Sequence, residues 1–205
     1  MKLSLQRISI VLAVAGTLSS LTACFPLVVG GAMVGGMVAT DRRTSGTLIE
    51  DESIEFKASS RIREKMGDRA HVNVNSYNRQ LLLTGEVPSE QDKQQIEQVA
   101  ASVENVRNIV NELAVMGNTT FGQRSTDALI TGQVKASLLD AKDLNASAFR
   151  VFTERGTTYL MGRVTQREVQ RATELASAIS GVRKIVRVLD VVTEEELRGQ
   201  TAPAK

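Results

Sequence analysis

Hydrophobic positions after residue 50 first follow a helical spacing and then a strand spacing. Ile54, Ala58 and Ile62 recur every four residues, which predicts an amphipathic helix that ends at Gly67. Residues 71–87 then place two apolar stretches on either side of an Asn-Arg pair. Two such stretches about a short polar turn are typical of a β-hairpin.

A second helix and a last strand complete this unit. Proline suits a first helical turn and serine caps free amide groups, so Pro88 and Ser89 predict where the helix begins. The last strand is predicted at 106–115, which gives the order αββαβ. Because the second helix is a crossover, we expect the last strand to run parallel to the strand before it. The buried stripe of the second helix is Ile96, Val99, Ala100 and Val103.

The same unit occurs twice along the chain. Three blocks recur in the same order at an offset of 76 or 77 residues, namely 51–54 with 127–130, 83–87 with 160–164 and 106–113 with 182–189. The fold class is therefore α+β, with two tandem αββαβ domains, each a three-stranded mixed sheet covered on one face by two helices. The second copy predicts helices at 126–140 and 166–179 and strands at 147–153, 157–164 and 182–192.

The first 24 residues have the pattern of an export signal. Lys2 and Arg7 precede an apolar run at 8–21, which is shorter than the roughly 20 residues that span a membrane. Leu21-Thr22-Ala23-Cys24 resembles the bacterial lipobox, in which the cysteine is acylated and becomes the first mature residue. The alternative is an ordinary exported protein with an unrelated cysteine. We predict lipidation at Cys24, because the chain has one cysteine and it stands at this position.

This anchor predicts where the protein works. Several acyl chains make membrane attachment effectively permanent, whereas one chain binds reversibly. Phe25 after the cysteine, rather than Asp, resembles lipoproteins that are sent to the outer membrane. We therefore expect an outer-membrane protein, lipid-anchored and facing the periplasm of a Gram-negative bacterium. The predicted boundaries are 1–23 for the signal peptide, 24–49 for the acylated cysteine and a flexible Gly-rich linker, 50–115 and 126–193 for the two domains, 116–125 for the linker between them and 194–205 for the tail.

Two short motifs within the repeat resemble a known family. The αββαβ unit, the Leu-x-Gly-x-Val motif around Gly85 and Gly162, and the closing Val-x-x-Ile-Val strand resemble the BON domain. Two such domains behind a lipobox are similar to the dual BON-domain outer-membrane lipoproteins. One departure is Asn105, which stands where Gly181 precedes the last strand of the second copy. The resemblance implies phospholipid binding, a role in envelope integrity and no enzymatic activity. Independently of the family, a bulge or a close backbone approach would require Gly85 and Gly162.

Composition argues against catalysis and against nucleic-acid binding. The net charge of +2 falls to near neutral once the signal is removed, and the chain has no tryptophan and 3% aromatic residues. His71 is the only histidine, and the sequence shows no cysteine or paired carboxylates around it that would complete a metal site or a nucleophilic triad. We therefore expect no enzyme activity, no cofactor, no metal and no nucleic-acid partner.

The two copies differ in charge. Residues 50–115 carry 8 Lys/Arg and 12 Asp/Glu, a net charge of −4, whereas residues 127–192 carry 10 Lys/Arg and 7 Asp/Glu, a net charge of +3. A cation close to an anionic membrane contributes about 1 kcal/mol, screened by salt. Only the second copy suits an anionic phospholipid surface.

The first helix of the second copy is the candidate binding element. One side carries the core stripe, while Leu129, Gly132, Ala136 and Leu139 make the opposite side small and apolar. That face could instead pack on the first copy or on the loop 117–123. A protein-interaction scaffold for outer-membrane assembly, division-site or cell-wall remodelling machinery is the alternative function. The predicted lipid-binding residues are Leu129, Ile130, Gln133, Val134, Lys135, Ala136, Leu138, Leu139 and Lys142, of which Ile130, Val134 and Leu138 are expected to support the surface from the core.

Overall fold

The computed structural model describes residues 41–201, with side chains through residue 199. This part of the chain contains two α+β domains in sequence, as the repeat predicts. Domain 1 consists of α1 (Ser45–Met66), β1 (His71–Tyr77), β2 (Gln80–Val87), α2 (Glu90–Ala101), β3 (Asn108–Asn111) and β4 (Ala114–Val115). Domain 2 consists of α3 (Phe121–Asp140), β5 (Phe149–Glu154), β6 (Thr157–Thr165), α4 (Gln166–Ser177) and β7 (Lys184–Val192), and α5 (Glu194–Thr201) follows it.

Both sheets have the predicted mixed topology. β1 pairs with β2 in antiparallel fashion, and β3 joins the other side of β2 in parallel. Domain 2 repeats this order, with β5 antiparallel and β7 parallel to the central β6. The crossover helix explains the parallel partner, because two parallel neighbours cannot be joined by a tight turn.

In each domain a buried aspartate on the first helix holds the hairpin turn. Asp51 accepts hydrogen bonds of 2.8 Å from the amides of both residues in the turn 78–79. Asp127 accepts bonds of 2.7 and 2.9 Å from the amides of the turn 155–156. All four turn residues have positive φ. A conformation that costs free energy on its own is thus stabilised by two charge-assisted hydrogen bonds in each domain.

Two strand glycines lie against the neighbouring strand, as the sequence predicts. A Cβ on Gly85 would stand 2.0 Å from the carbonyl oxygen of His71, and φ there is +117°. A Cβ on Gly162 would stand 2.3 Å from the carbonyl oxygen of Ala148. Both positions therefore exclude any side chain.

The first helix of each domain begins earlier than its hydrophobic stripe indicates. α1 begins at Ser45 and α3 at Phe121, each five residues before the predicted start of its domain. Thr44 and Thr120 accept hydrogen bonds at these ends from the amides three residues on. Each cap therefore adds a helical turn to what the hydrophobic stripe alone indicates.

The last strand of domain 1 is broken, whereas a continuous strand at 106–115 was expected. The break lies between β3 and β4, where the amide of Leu113 donates to the side chain of Asn111 at 3.2 Å. This local bond turns Leu113 into the core of domain 1, where it is buried. The parallel pairing with β2 is interrupted at Leu113 and resumes in β4.

The sheet faces that carry no helices pack on each other. Along β2, Leu81 and Leu83 belong to the core beneath the helices of domain 1, while Leu82 belongs to a separate cluster shared with domain 2. Consecutive strand residues point to opposite faces, so this strand is buried on both sides. The shared cluster consists of Tyr77, Leu82, Tyr159, Met161 and Val188.

Ion pairs connect the two domains around this apolar contact. Arg42, which precedes α1, binds both carboxylate oxygens of Glu168 in domain 2 at 2.7 and 2.8 Å. Arg150 on β5 binds Glu55 on α1 at 2.7 Å. A third pair joins Arg155 to Glu86 at 2.6 Å. The domains therefore share apolar and charged contacts.

Candidate functional site

Helix α3 is held in place by its buried face. Asp127, Ile130, Val134 and Leu138 are buried, and the three aliphatic side chains belong to the core of domain 2. Of the predicted lipid-binding residues, these aliphatics support the helix from beneath, as expected. They cannot meet a ligand on the surface themselves.

The opposite face of α3 is open to solvent and apolar. Leu129 is 69% exposed and Leu139 is 72% exposed, and Ala136 lies between them on the same side of the helix. A helix turns about 100° per residue, which also brings Gly132 onto this face. Neither domain 1 nor the loop 117–123 covers these leucines, contrary to the alternative packing considered from the sequence.

Cations flank this face without acidic partners. Arg124, Lys135 and Lys142 are exposed, and within the described side chains none of them takes part in an ion pair. In domain 1, by contrast, Lys57 on α1 pairs with Glu104 at 2.8 Å. The predicted residue Gln133 is also exposed, on the side of α3 that faces α4. The cations on α3 are thus available to an anionic ligand.

Two surface residues of this helix escaped the sequence analysis. Phe121 is 81% exposed, and Arg124 lies one turn after it. Both fall before residue 126, where the helix was expected to begin. The missed signal is Thr120-x-x-Gln123, whose side chains and backbone amides bond reciprocally in a capping box. Reading that pattern would have extended the helix to include Phe121.

A buried carboxylate joins the two domains and the linker between them. Glu86 on β2 is fully buried, and its Oε1 accepts a hydrogen bond of 2.6 Å from Arg155 of domain 2. Its Oε2 accepts bonds of 3.3 and 3.1 Å from the amide and hydroxyl of Thr119. Burial acts to raise the pKa of Glu86, but Arg155, Thr119 and His71 outweigh it and hold the pKa below its usual range. Glu86 is therefore charged at neutral pH.

The expectation that no carboxylates surround His71 is wrong. The hairpin register places His71 opposite Glu86, with 3.0 Å between Nδ1 and Oε2. Glu154 of domain 2 completes a group whose ligand atoms all lie within 4.8 Å of one another. Sequence reasoning could not find this group because its members come from three strands of two domains.

This group suits a metal ion poorly, although its residue types are those of a metal site. Arg155 already occupies Oε1 of Glu86, and Thr119 donates two hydrogen bonds to Oε2. A divalent cation at Glu86 would stand close to a guanidinium and would compete with those donors. The chemistry of the group is that of an ionised, hydrogen-bonded contact between domains.

Comparison with known proteins agrees with the αββαβ repeat. The model of the BON domain matches residues 51–117 and 126–193. This chain belongs to the BON-domain family. Domains 1 and 2 are accordingly BON domain 1 and BON domain 2.

Relatives of similar length place the chain among the dual BON-domain outer-membrane lipoproteins. Outer membrane lipoprotein DolP of Haemophilus influenzae is 38% identical over 186 residues, which cover 90% of this chain and 95% of that protein. The 21 kDa hemolysin of Actinobacillus pleuropneumoniae is 30% identical over 154 residues, 74% of this chain and 79% of that protein. A solved structure of CdsD, a structural protein of the Type III secretion system of Chlamydia trachomatis, covers 77% of this chain and 99% of its own at 13% identity, with a TM-score of 0.30 that is too low to inform the fold.

The membrane attachment itself lies outside the described residues. The predicted signal peptide, Cys24 and the linker up to residue 40 belong to that part of the chain. Within residues 41–201, no helix combines the length and the hydropathy needed to cross a bilayer. Lipidation at Cys24 stays a prediction from the lipobox.

Proposed function

We propose that this protein is a non-enzymatic, lipid-anchored lipoprotein of the outer membrane that binds anionic phospholipid through BON domain 2 and supports envelope integrity. One observation carries the proposal: α3 exposes an apolar face beside cations that have no acidic partners among the described side chains. No soluble fold gains stability from exposing Phe121, Leu129 and Leu139. An exposed apolar patch of this kind marks an interaction surface.

The chemistry of this face matches a bilayer surface. Apolar side chains contribute by leaving water, at about 25 cal/mol per Å² of buried apolar area. Lys135 and Lys142 would contact phosphate groups, each contributing about 1 kcal/mol at low salt. Arg124 adds a third cation near the exposed Phe121. The cations favour anionic over zwitterionic lipid, whereas the apolar contribution is the same for both.

BON domain 1 differs in its net charge. Its helix α1 also exposes apolar side chains, Ile49 and Phe56, and beside the paired Lys57 it carries Arg63 and Lys65, which are exposed and take part in no ion pair among the described side chains. Residues 50–115 carry a net charge of −4, which an anionic surface repels. We therefore assign lipid binding to BON domain 2 and not to BON domain 1.

With an acyl anchor at Cys24, a weak contact between α3 and lipid would be sufficient to hold BON domain 2 on the membrane. A tethered binding face meets the same membrane at a high effective concentration, so a modest intrinsic affinity keeps it bound. The chain from residue 25 to residue 40 supplies the tether between the anchor and the described body.

Vesicle sedimentation of a matched pair of variants tests the proposal. Leu129→Glu places a carboxylate in the apolar face and should abolish binding of the unacylated chain to anionic vesicles. Ile49→Glu makes the same change at a residue of equal exposure, 69%, on α1 and should bind as the wild type does. Binding by Leu129→Glu at the wild-type level would remove α3 from the proposal.

A protein-interaction scaffold is the second candidate function, and the exposed pair on α1 favours it. Ile49 and Phe56 lie two helical turns apart on one side of that helix, away from the core of domain 1. A partner from outer-membrane assembly, division-site or cell-wall machinery could bind there. Salt separates the two functions, because head-group contacts weaken steeply with ionic strength and an apolar protein interface does not.

A further inference from the structure

The outer side of β7 is a long, unpaired sheet edge. β7 (Lys184–Val192) pairs with β6 residue for residue over its whole length, so it contains no bulge, and it contains no proline. No strand of the described chain pairs with its other side. An edge of this kind presents a row of N–H and C=O groups to which a further strand can bind.

Every second residue of β7 directs its backbone groups outward. The amide of Lys184 donates to the carbonyl oxygen of Gly156, just before β6, at 3.4 Å. Because alternate residues of a parallel strand bond to the same neighbour, residues 186, 188, 190 and 192 also bond to β6. The outward residues are Ile185, Arg187, Leu189 and Val191. Among the described residues, no strand and no side chain forms a hydrogen bond with the backbone groups of these four.

The corresponding edge of BON domain 1 is poorly suited to such pairing. There β3 and β4 are four and two residues long, and Leu113 interrupts the strand between them. Short and interrupted edge strands protect a sheet against pairing with another chain. β7 has neither feature, and Val191 on it is 51% exposed. The edge of BON domain 2 is therefore the one that can accept a further strand.

The order of charges along this edge favours an antiparallel copy of the same segment. Arg183, Lys184 and Arg187 come first, and Arg183 and Arg187 are exposed without an ion pair among the described side chains. Acidic residues follow, namely Asp190 and the run 194–196. In an antiparallel pair, the basic half of each copy lies beside the acidic half of the other. A parallel pair would bring like charges together, which destabilises neighbouring strands.

Antiparallel pairing would also align the two lipid-binding faces. Two antiparallel copies in one continuous sheet are related by a two-fold axis perpendicular to the sheet. Both copies therefore carry their helices on the same side of the joined sheet. The core side of α3 faces the sheet, so the exposed Leu129 and Leu139 point away from it in both copies. Both apolar faces would then meet one membrane.

We propose that the outer edge of β7 is a self-association surface, at which a second copy of this chain adds its own β7 in the antiparallel direction. The contact joins two three-stranded sheets into one and places two copies of α3 on the same side. The benefit for membrane binding rests on the proposed function of α3, whereas the pairing of the strands does not. Attachment to one membrane raises the local concentration of the chain, so a weak contact between copies is sufficient there.

Sedimentation equilibrium of the unacylated chain, residues 25–205, tests the pairing without lipid. We expect a monomer–dimer equilibrium with a dissociation constant between about 10 µM and about 1 mM. Arg187→Pro removes an outward amide and leaves the bonds to β6 intact. Because a dimer contains this change twice, two hydrogen bonds are lost and the dimer should weaken about tenfold. Arg187→Thr keeps the amide and is the matched control for the lost side chain, with an expected change of no more than about threefold.

A charge reversal tests the same contact without a change in the backbone. The double variant Arg183→Glu and Arg187→Glu keeps every amide of β7 and removes the basic half of the edge. Both side chains are exposed without an ion pair among the described residues, so the unfolding temperature should stay at the wild-type value. We expect this variant to be monomeric. It decides the question if Arg187→Pro disturbs the fold.

Amide hydrogen exchange at low and high protein concentration locates the contact. The amides of the outward residues 185, 187, 189 and 191 should become more protected as the concentration rises. The amides of residues 186, 188 and 190 already donate to β6 and should not change. This alternation is specific to the pairing of strands, since contact through a helix face would not produce it.

The outcomes separate the strand pairing from the lipid-binding proposal. A wild-type chain that stays monomeric up to about 1 mM would overturn the proposal and leave this edge to a strand of a different protein. A dimer that survives both Arg187→Pro and the charge reversal would place the contact elsewhere and overturn it as well.

Anionic vesicles form the second arm, in which the wild type should bind more tightly than Arg187→Pro because two faces bind together. Absence of vesicle binding by both proteins, with the sedimentation result as expected, would contradict the lipid function while the strand pairing stands. Equal vesicle affinity of a dimeric wild type and a monomeric Arg187→Pro would overturn the alignment of the two α3 faces.

Discussion

Single carboxylates decide the local structure of this protein. Asp51 is buried and accepts four hydrogen bonds, from Ser76, from the turn 78–79 and from Arg43. Its counterpart Asp127 holds the equivalent turn in BON domain 2. The sequence repeat aligned these two residues, but it could not show that their side chains accept hydrogen bonds from the hairpin turns. A buried charge is costly unless it is paired, and only the fold reveals the pairs.

The buried carboxylate of Glu168 should make the stability of the folded protein depend on pH. Burial acts to raise the pKa of Glu168, but hydrogen bonds from Arg42 and Thr165 outweigh it, so the pKa is lowered. A carboxylate with a lowered folded pKa stabilises the protein above the ordinary glutamate range, and this stabilisation is lost as the pH falls through the lowered pKa. We therefore expect Glu168→Gln to unfold at a lower temperature than the wild type at neutral pH.

Thermal unfolding over a pH series measures this difference. The gap between the two unfolding temperatures should narrow as the pH falls below about 4, because the wild type also loses its charge there. A gap that stays constant from neutral to acidic pH would contradict the assignment of the Arg42–Glu168 pair.

At the scale of elements, the hydrophobic pattern predicted the order and type of the helices and strands, but not where α1 and α3 begin or that the last strand of domain 1 is interrupted. Side-chain caps decided the starts of α1 and α3, and one asparagine side chain divided the last strand of domain 1. The candidate site followed the same rule. Its central residues, Leu129 and Leu139, were predicted from periodicity. Phe121 was missed because it lies in the additional first turn of α3, next to the cap Thr120.

Two glycines in different elements should respond in opposite ways to alanine. Gly85→Ala places a methyl group against the backbone of His71 at a positive φ, so we expect a loss of about 3 kcal/mol or more in the free energy of unfolding. Gly132→Ala on the exposed face of α3 meets nothing within 4 Å and should stabilise the chain by up to about 1 kcal/mol. Urea denaturation measures both. A neutral Gly85→Ala would contradict the close approach of β1 and β2.

At the scale of the whole molecule, the packing of the two domains was not predicted, yet the sequence contained a trace of it. The runs 81–83 and 159–161 are continuously apolar rather than alternating. Such runs are typical of strands buried on both faces. A sheet with helices on one side should alternate, so these runs indicate a partner for the other face. The polar group around His71 left no such trace.

A charge in the shared cluster should separate the unfolding of the two domains. Leu82 is fully buried in that cluster, so Leu82→Asp should cost about 3 kcal/mol or more and turn one calorimetric transition into two. Val191→Asp, at a strand residue that is 51% exposed, serves as the control and should keep one transition. A single transition at the wild-type temperature in Leu82→Asp would contradict the face-to-face packing of the sheets.

Nuclear magnetic resonance tests most directly whether α3 binds anionic phospholipid, which is the central claim. The soluble chain 25–205 contains all described residues and would be titrated with anionic and, separately, zwitterionic phospholipid micelles. We expect shifts and line broadening confined to residues 121–142 with the anionic lipid, and much weaker changes with the zwitterionic one. Unchanged spectra with both lipids, or equal changes spread over both domains, would contradict it.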